Sequence, residues 1–561
     1  MNNKTTTRQY DNNKLVVPRR NYDTFTYLLI LAFLSCGFMG ILNHEMWRDE
    51  LQAWMIARDS SSIINLFQNL RYEGHPGLWH LGLYFLSRFT HNPFIMQLFH
   101  LIIATTSTYI FVRYSFFTRL QKFLFTFGYF SLYEYCLISR NYALGVLFVF
   151  CFCALFPNRH KSYLLLSLSL LFLSNTSVYG LILAISLGSA LIFERLIKQY
   201  IDIDVKFNQK KWDIATSIFI FVFGIIITII QIVPPADSGV AVEWNTQFDF
   251  GRTASTILNI WEAYIPIPNF FEYQFWNSNI IYEYFSYFRL GNLPIVGLVA
   301  VFISLVLFTL AVTLFVRKPV VLCMYLSGTI GIGLFQYLKY SGNLRHDGNL
   351  FILLLACLWI SCYYEESDIL FRFLKVKFNN LYKIIINVAN LVSKHRNRLL
   401  TVILYTHLLA GAFAFSRDFS HPFSEGKALA NFLQSQNMEN MLIIGSRNVQ
   451  VSTLSGYLDR KIYYPEINKF GTFIVWNNKR KEEVTPKELV ETVYKIYKQN
   501  SQDILLVINY DPSNSRKEYV KTVMSEFLNF SVRIDQLNNF GKSIVGDENY
   551  KLYMVKYKAK E

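Results

Sequence analysis

The sequence predicts a mainly α polytopic membrane protein with about eleven transmembrane helices, followed by a C-terminal soluble α/β domain. Three observations predict it. Of 561 residues, 52% are hydrophobic and only 17% charged, with a mean hydropathy of +0.25, whereas soluble domains carry about a quarter charged residues. Apolar stretches long enough to cross a bilayer recur along the first 416 positions. From about Arg417 hydropathy falls and the pattern alternates between helix and strand. Low charge and high hydrophobicity also exclude a disordered chain.

The apolar stretches lie at 25–42, 94–112, 121–138, 141–156, 162–174, 177–194, 213–233, 295–316, 319–338, 348–363 and 399–416. The first follows Lys14, Arg19 and Arg20 and lacks a small-residue cleavage site before Asn43, which reads as an uncleaved anchor. Gly77–Phe89, bounded by Pro76 and Pro93, is too short to span and reads as a re-entrant or interfacial helix. All seven cysteines lie inside apolar runs, which argues against a disulfide framework.

The net charge of +15 raises nucleic-acid binding as an option. Its distribution answers it. With the N-terminus inside, the inner loops hold Arg113, Arg119 and Lys122, then Arg159 and Lys161. Next come Arg195, Lys198, Lys206, Lys210 and Lys211, then Arg317 and Lys318, and finally seven basic residues from Arg372 to Arg398. The outer loops are longer and poorer in basic residues, as the positive-inside rule requires. The expected location is therefore the plasma (inner) membrane, multi-pass, N-terminus cytoplasmic and C-terminal domain extracytoplasmic, with a lipid bilayer and no nucleic acid as partner.

The chain thus divides into a membrane module over 1–416, with large outer loops at 43–93 and 234–294, and a soluble domain over 417–561. In the soluble domain, helices are expected at Ser424–Gln436, Glu488–Gln499 and Lys517–Leu528. Strands are expected at Met441–Gly445, Asp503–Asn509 and Lys551–Tyr557. It has no glycine-rich phosphate loop, HExxH or CxxC spacing, and reads as a lid or partner-binding domain. The 234–294 loop is crowded with rings, among them Trp244, Phe248, Trp261, Tyr264, Trp276, Tyr284 and Tyr287. Such rings form an interfacial belt or the wall of a groove for a lipid tail or sugar.

The outer face collects the residues suited to chemistry. The first loop carries Asp49-Glu50 directly after the first span, then Glu73-Gly-His75-Pro76-Gly77-Leu78. Partial desolvation at the membrane surface is expected to raise a carboxylate's pKa toward that of a general base. Arg140-Asn-Tyr142 opens a later span, and Arg345-His346 sits in GNLRHDGN. Guanidiniums there suit bidentate binding of phosphate oxygens. Asp49-Glu50 also reads as a helix N-terminal cap, and Arg140 and Arg345 as snorkelling interface residues.

At these residues the chain resembles the GT-C glycosyltransferases of the family-39 type, which includes protein O-mannosyltransferases and the lipid A aminoarabinose transferase. The matching pieces are the Asp49-Glu50 pair after the first span, the Glu73–Leu78 element before a short apolar helix, and Arg140-Asn-Tyr142. Where the family often has two prolines this chain has Pro76-Gly77, and no Asp follows Arg140 closely, so Asp49 and Glu50 alone are assigned as catalytic. The resemblance implies inverting transfer of a sugar from a polyprenyl-phosphate donor to a hydroxyl or amine of a lipid, glycan or protein acceptor. Asp49 is then the base, and Glu50 orients the acceptor or a metal ion. Arg140, Tyr142, Arg345 and His346 hold the donor phosphate. Glu73 and His75 contact the acceptor or a divalent metal, the one cofactor the resemblance admits. The competing reading is a flippase or transporter of lipid-linked sugars without bond chemistry, which calls for functional polar groups along the spans.

Overall fold

A computed structural model describes residues 23–197, 209–239, 244–285, 289–290, 293–500, 502–510, 514–530 and 532–556. Tyr287 of the aromatic loop, Lys14, Arg19 and Arg20 before the first span, and Lys198 and Lys206 of an inner loop lie outside these residues.

Among the described residues, nine helices are long and apolar enough to cross a membrane, eight of them 19–22 residues long and one of 42 residues, Asn379–Ser420. At 1.5 Å per residue, 20 residues match a hydrocarbon core of about 30 Å. Many outward residues of these helices are apolar, such as Leu28, Leu31, Phe219 and Ile230, as a lipid-facing surface requires. The expected count of eleven is corrected at two places. The 162–174 stretch is an 11-residue helix, Leu164–Ser174. The 121–138 stretch is broken into an α-helix, Arg119–Thr126, and a π-helix, Tyr129–Leu137.

The break has a packing cause. At Gly411 in the 42-residue helix, the position a Cβ would take lies 2.7–2.9 Å from backbone atoms of Phe127, Gly128 and Tyr129. The two backbones therefore meet where only glycine fits, the close approach that small residues permit between membrane helices. The Leu344–Ile360 helix is the innermost, buried at every one of its 17 residues. That placement carries Arg345, at its first turn, into the interior.

The loop expected over 43–93 folds into three short helices, Arg48–Asp59, Ile63–Leu70 and Leu78–Ser87. The last is the short apolar helix expected between the prolines. The second outer loop contains the helix Phe250–Tyr264, whose first turn is capped by Asp249 accepting from the Arg252 amide at 2.6 Å. Its rings divide by burial: Trp261, Tyr264 and Phe275 are in the core, while Trp244, Phe248 and Tyr284 are exposed.

The C-terminal part holds a six-stranded mixed sheet. Its strand order is Lys469–Gly471, Ile462–Tyr464, Leu442–Ser446, Ile504–Asn509, Tyr550–Lys556, Arg533–Phe540. Leu442–Ser446 runs parallel to both its neighbours; the other pairs are antiparallel. The expected helices appear at Gly426–Ser435, Pro486–Asn500 and Asn514–Asn529, and the three expected strands each fall within a residue or so of their predicted ends. Sequence reading missed the Asn448–Leu458 helix and the three strands at 462–464, 469–471 and 533–540. The last has the polar, half-exposed pattern of an edge strand, which gives little hydrophobic signal.

This domain sits on the first-loop helices. Gln52 donates to the Ile474 carbonyl at 2.7 Å and accepts from its amide at 2.9 Å. Arg58 pairs with Asp459 at 2.9 Å, and the Tyr457 hydroxyl donates to the Met46 carbonyl. The start of the second loop pairs with the same segment, the Gly239 amide donating to the Trp476 carbonyl at 2.9 Å. Two loops and the domain thereby enclose a space.

Candidate active site

The enclosed space is a cavity of about 750 Å³. The Arg48–Asp59 helix supplies Asp49 and Gln52, and the turn between the Ile63–Leu70 and Leu78–Ser87 helices supplies Glu73 and His75. Arg140 enters from the turn before the Tyr142–Leu155 helix, and Ile474 and Trp476 from the C-terminal domain.

Asp49 is the electrostatic centre. Its Oδ2 accepts from Arg140 Nη1 at 2.9 Å and from Arg345 Nη2 at 3.1 Å, with Arg48 Nε at 4.0 Å from Oδ1. The two guanidiniums are 12% and 8% exposed and the carboxylate 29%, its exposure being to the cavity. Burial alone would raise the Asp49 pKa, but Arg140, Arg345 and Arg48 outweigh it and hold the carboxyl below its ordinary range. The expectation of a raised pKa at Asp49 is thus corrected: desolvation came with cationic partners that dominate it. The carboxyl that burial does raise is Glu73, to about 7, against the hydrogen bond from Gln52 at 2.8 Å and the field of Arg140. Burial also pushes His75 down to about 4 and His80 to about 3, both aided by Arg140, so each is a neutral imidazole near neutral pH.

The adjacent carboxylate points elsewhere. Glu50 is fully buried and caps its own helix, accepting from the Trp47 amide at 3.2 Å. Its other oxygen accepts from the Ser139 amide at 2.6 Å. An orienting contact from Glu50 to an acceptor or metal is therefore corrected, since both its oxygens are spent inside the protein. The pair is split by helical geometry, one residue facing the cavity and the next the core.

Arg345 lies between two indoles, its guanidinium 5.2 Å from the Trp47 ring and 5.5 Å from that of Trp276. Its Nε and Nη1 have no hydrogen-bond partner. His346 serves its helix, accepting from the Asn343 amide at 2.8 Å and stacking on Tyr179 with centroids 5.2 Å apart. Tyr142 packs edge-on against His346. Of the four residues expected at the donor phosphate, Arg140 lines the cavity, whereas Tyr142, Arg345 and His346 do not; Arg345 meets it through Asp49, and His346 and Tyr142 pack around the helix that carries Arg345.

Among the described residues, no three His, Cys, Asp or Glu side chains group as metal ligands. Glu73 and His75 share the cavity wall with Asp49 and His80. Sequence reading missed Arg48, Gln52 and Trp476. Arg48 adjoins the Asp49-Glu50 pair and was available as a signal; nothing marked Gln52 or Trp476.

The arrangement can do two things chemically. Two guanidiniums share one carboxylate, leaving excess positive charge beside a cavity that Arg140 lines, which suits an anion such as a phosphodiester. Beside them, one carboxylate is kept ionised and a second titrates near neutrality.

No family model matches the sequence, and no curated protein matches it. Among solved structures, the chain is similar to ArnT from Cupriavidus metallidurans bound to undecaprenyl phosphate. The identity is 12% and the TM-score 0.47, over 94% of this chain and 98% of that one. The apo state of the same protein matches at 12% identity and a TM-score of 0.46, over 94% and 97%.

Proposed function

We propose that this protein is a membrane glycosyltransferase that moves a sugar from a polyprenyl-phosphate donor to an acceptor hydroxyl or amine, with inversion, at the extracytoplasmic face of the plasma membrane. The observation that carries it is the Asp49 carboxylate clamped by Arg140 and Arg345 on the wall of a 750 Å³ cavity. The motif resemblance at Asp49-Glu50 and Glu73–Leu78 points the same way. In this reading the donor phosphate engages Arg140, which lines the cavity, while Arg345 adds its charge from behind Asp49. The sugar–phosphate bond breaks, and polyprenyl phosphate leaves with its charge held by preset cations. Asp49, ionised at the start, takes the proton of the acceptor as the new glycosidic bond forms and then releases it. The C-terminal domain closes the cavity through Ile474 and Trp476, and the boundary near 416/417 separates membrane module from lid.

A second assignment of the base has its own support: Glu73, at about 7, has the affinity for a proton that a general base at neutral pH needs. Sugar transfer from a synthetic polyprenyl-phosphate donor by the purified protein, followed against pH, separates the two. A rate that rises through pH 7 and loses that limb in Glu73→Gln assigns Glu73; a flat rate abolished in Asp49→Asn assigns Asp49. Movement of the intact lipid-linked sugar across a bilayer with no bond cleaved would replace both with the transporter reading.

A further inference from the structure

His44 stands where three elements meet. It follows the first long helix, which ends at Asn43. Its Nδ1 lies 2.7 Å from Asp418 Oδ2, near the end of the 42-residue helix, and its Nε2 lies 3.2 Å from Glu50 Oε2. The side chains of His44 and Glu50 are 0% exposed and that of Asp418 2%. Both ring nitrogens face carboxylates, so both must donate, and only the imidazolium does so. The Asn43 side chain adds a bond to the Asp418 carbonyl at 2.7 Å, and the Phe423 ring covers the imidazole at 4.8 Å.

Glu50 passes this restraint on. Its second oxygen holds the Ser139 amide. Glu50 is bonded to Asp49 along the chain, and Ser139 to Arg140. The buried triad therefore grips the backbone on both sides of the Asp49–Arg140 pair without touching the cavity. Burying three ionisable groups costs several kcal/mol each unless they are paired, and an apolar cluster would stabilise a fold as well. A merely structural plug has no need of them.

We infer that His44 is a positioning residue: with Asp418 and Glu50 it forms a charged bracket that locks the ends of the first and last long helices to the peptides beside Asp49 and Arg140, and so sets the spacing of those two groups. This rests on the sugar-transfer reading for its consequence, though not for its geometry.

The ionisable groups facing His44 are Glu50, Asp418, Glu45, Glu134 and His100, four carboxyls and one imidazole. Burial opposes charge on the ring, but Asp418 and Glu50 outweigh it and raise the pKa to about 10. The imidazolium is present below the ordinary histidine value and is lost only as pH rises through about 10. Removing one carboxylate charge moves that loss down toward neutral pH.

The test uses the full-length protein in detergent, with Asp418→Asn as the perturbation and Asp418→Glu as the charge-keeping control that guards against misfolding. Hydrogen–deuterium exchange is read at peptides covering Ser139 and at the Ile504–Asn509 strand. Loss of one hydrogen bond to a charged group should speed exchange around Ser139 by about tenfold or more in Asp418→Asn, leave the strand unchanged, and be rescued in Asp418→Glu. In parallel, kcat for sugar transfer should fall with donor KM little moved. Asp418→Asn should also gain a basic limb, losing about tenfold in rate per pH unit above the lowered His44 pKa, while the parent protein stays flat to pH 9. Unchanged exchange at Ser139 in folded Asp418→Asn overturns the bracket, as does an unchanged pH profile in an active variant. If the parent protein transfers no sugar, the transfer reading falls, and exchange at Ser139 still decides the bracket.

Discussion

Replacing Asp49 with asparagine removes one charge and leaves two guanidiniums, each about a tenth exposed, facing a neutral amide 2.9 and 3.1 Å away. Breaking a fully buried ion pair costs about 3–5 kcal/mol, because the orphaned charge stays behind, while a surface pair is worth about 0–1 kcal/mol. At 29% exposure Asp49 lies between these limits, and about 1–3 kcal/mol of stability should be lost. The amide oxygen still accepts a hydrogen bond, which favours the lower end. The effect on rate should be larger: a positioned general base contributes about 100- to 10,000-fold. The assay is transfer of a radiolabelled sugar from a polyprenyl-phosphate donor, with thermal unfolding followed by tryptophan fluorescence on the same preparation. Adding Arg140→Gln to Asp49→Asn separates the two effects, since it relieves part of the charge imbalance and should restore stability without restoring transfer. Sugar transfer close to the parent rate in a folded Asp49→Asn protein would refute the reasoning, because no carboxylate would then be needed between the arginines.

Three further outcomes follow from the same geometry. Arg345→Lys keeps a charge but loses the planar guanidinium that reaches Asp49 between two indoles, so kcat/KM for the donor should fall by about tenfold or more, measured by initial rates against donor concentration. Glu73→Gln removes a carboxyl whose raised pKa favours the neutral form in the folded state. That preference stabilises fully below the ordinary glutamate value and is lost as pH rises through about 7, so the variant's melting temperature should gain on the parent at pH 8 and match it at pH 4. Gly411→Ala places a Cβ against the backbone of Phe127, Gly128 and Tyr129, none of which can rotate away; a loss of about 1–3 kcal/mol is expected, read by thermal unfolding in detergent.

Much of the fold was legible because bilayer-scale apolar length is a strong signal and the soluble domain's buried strands alternate with helices in plain sight. Breaks inside apolar runs were not legible. The 121–138 stretch has the composition of a span, and its division depends on Gly411, nearly three hundred residues away, meeting its backbone. The meeting of Asp49, Glu73, His75 and Arg140 around one cavity, with Arg345 on Asp49, was legible from the loops and span ends that carry them. Their protonation was not, because a pKa depends on which charges end up within a few ångströms. Adjacent Asp49 and Glu50 look equivalent in sequence, yet a helix turns successive residues by about 100°, so one faces the cavity and the other the core. His346 and Tyr142 stand beside Arg345 and Arg140 in sequence and are drawn into helix packing for the same reason.

The link between the site and the C-terminal domain then follows from Arg48, the third residue of that same turn. Its side chain leaves Asp49 at 4.0 Å for Asp547 at 2.8 Å and Glu548 at 3.4 Å in the domain, and its amide donates to Glu548 as well. Burial raises the Glu548 pKa to about 8 despite Arg48, while Asp547 is held low by the same guanidinium against burial. The domain therefore presents one firm and one titrating carboxyl to the residue beside Asp49. Lifting the domain would strip Arg48 of both and free it to compete with Arg140 and Arg345 for Asp49. Arg48 thus ties the turn that carries Asp49 to the C-terminal domain through a single guanidinium.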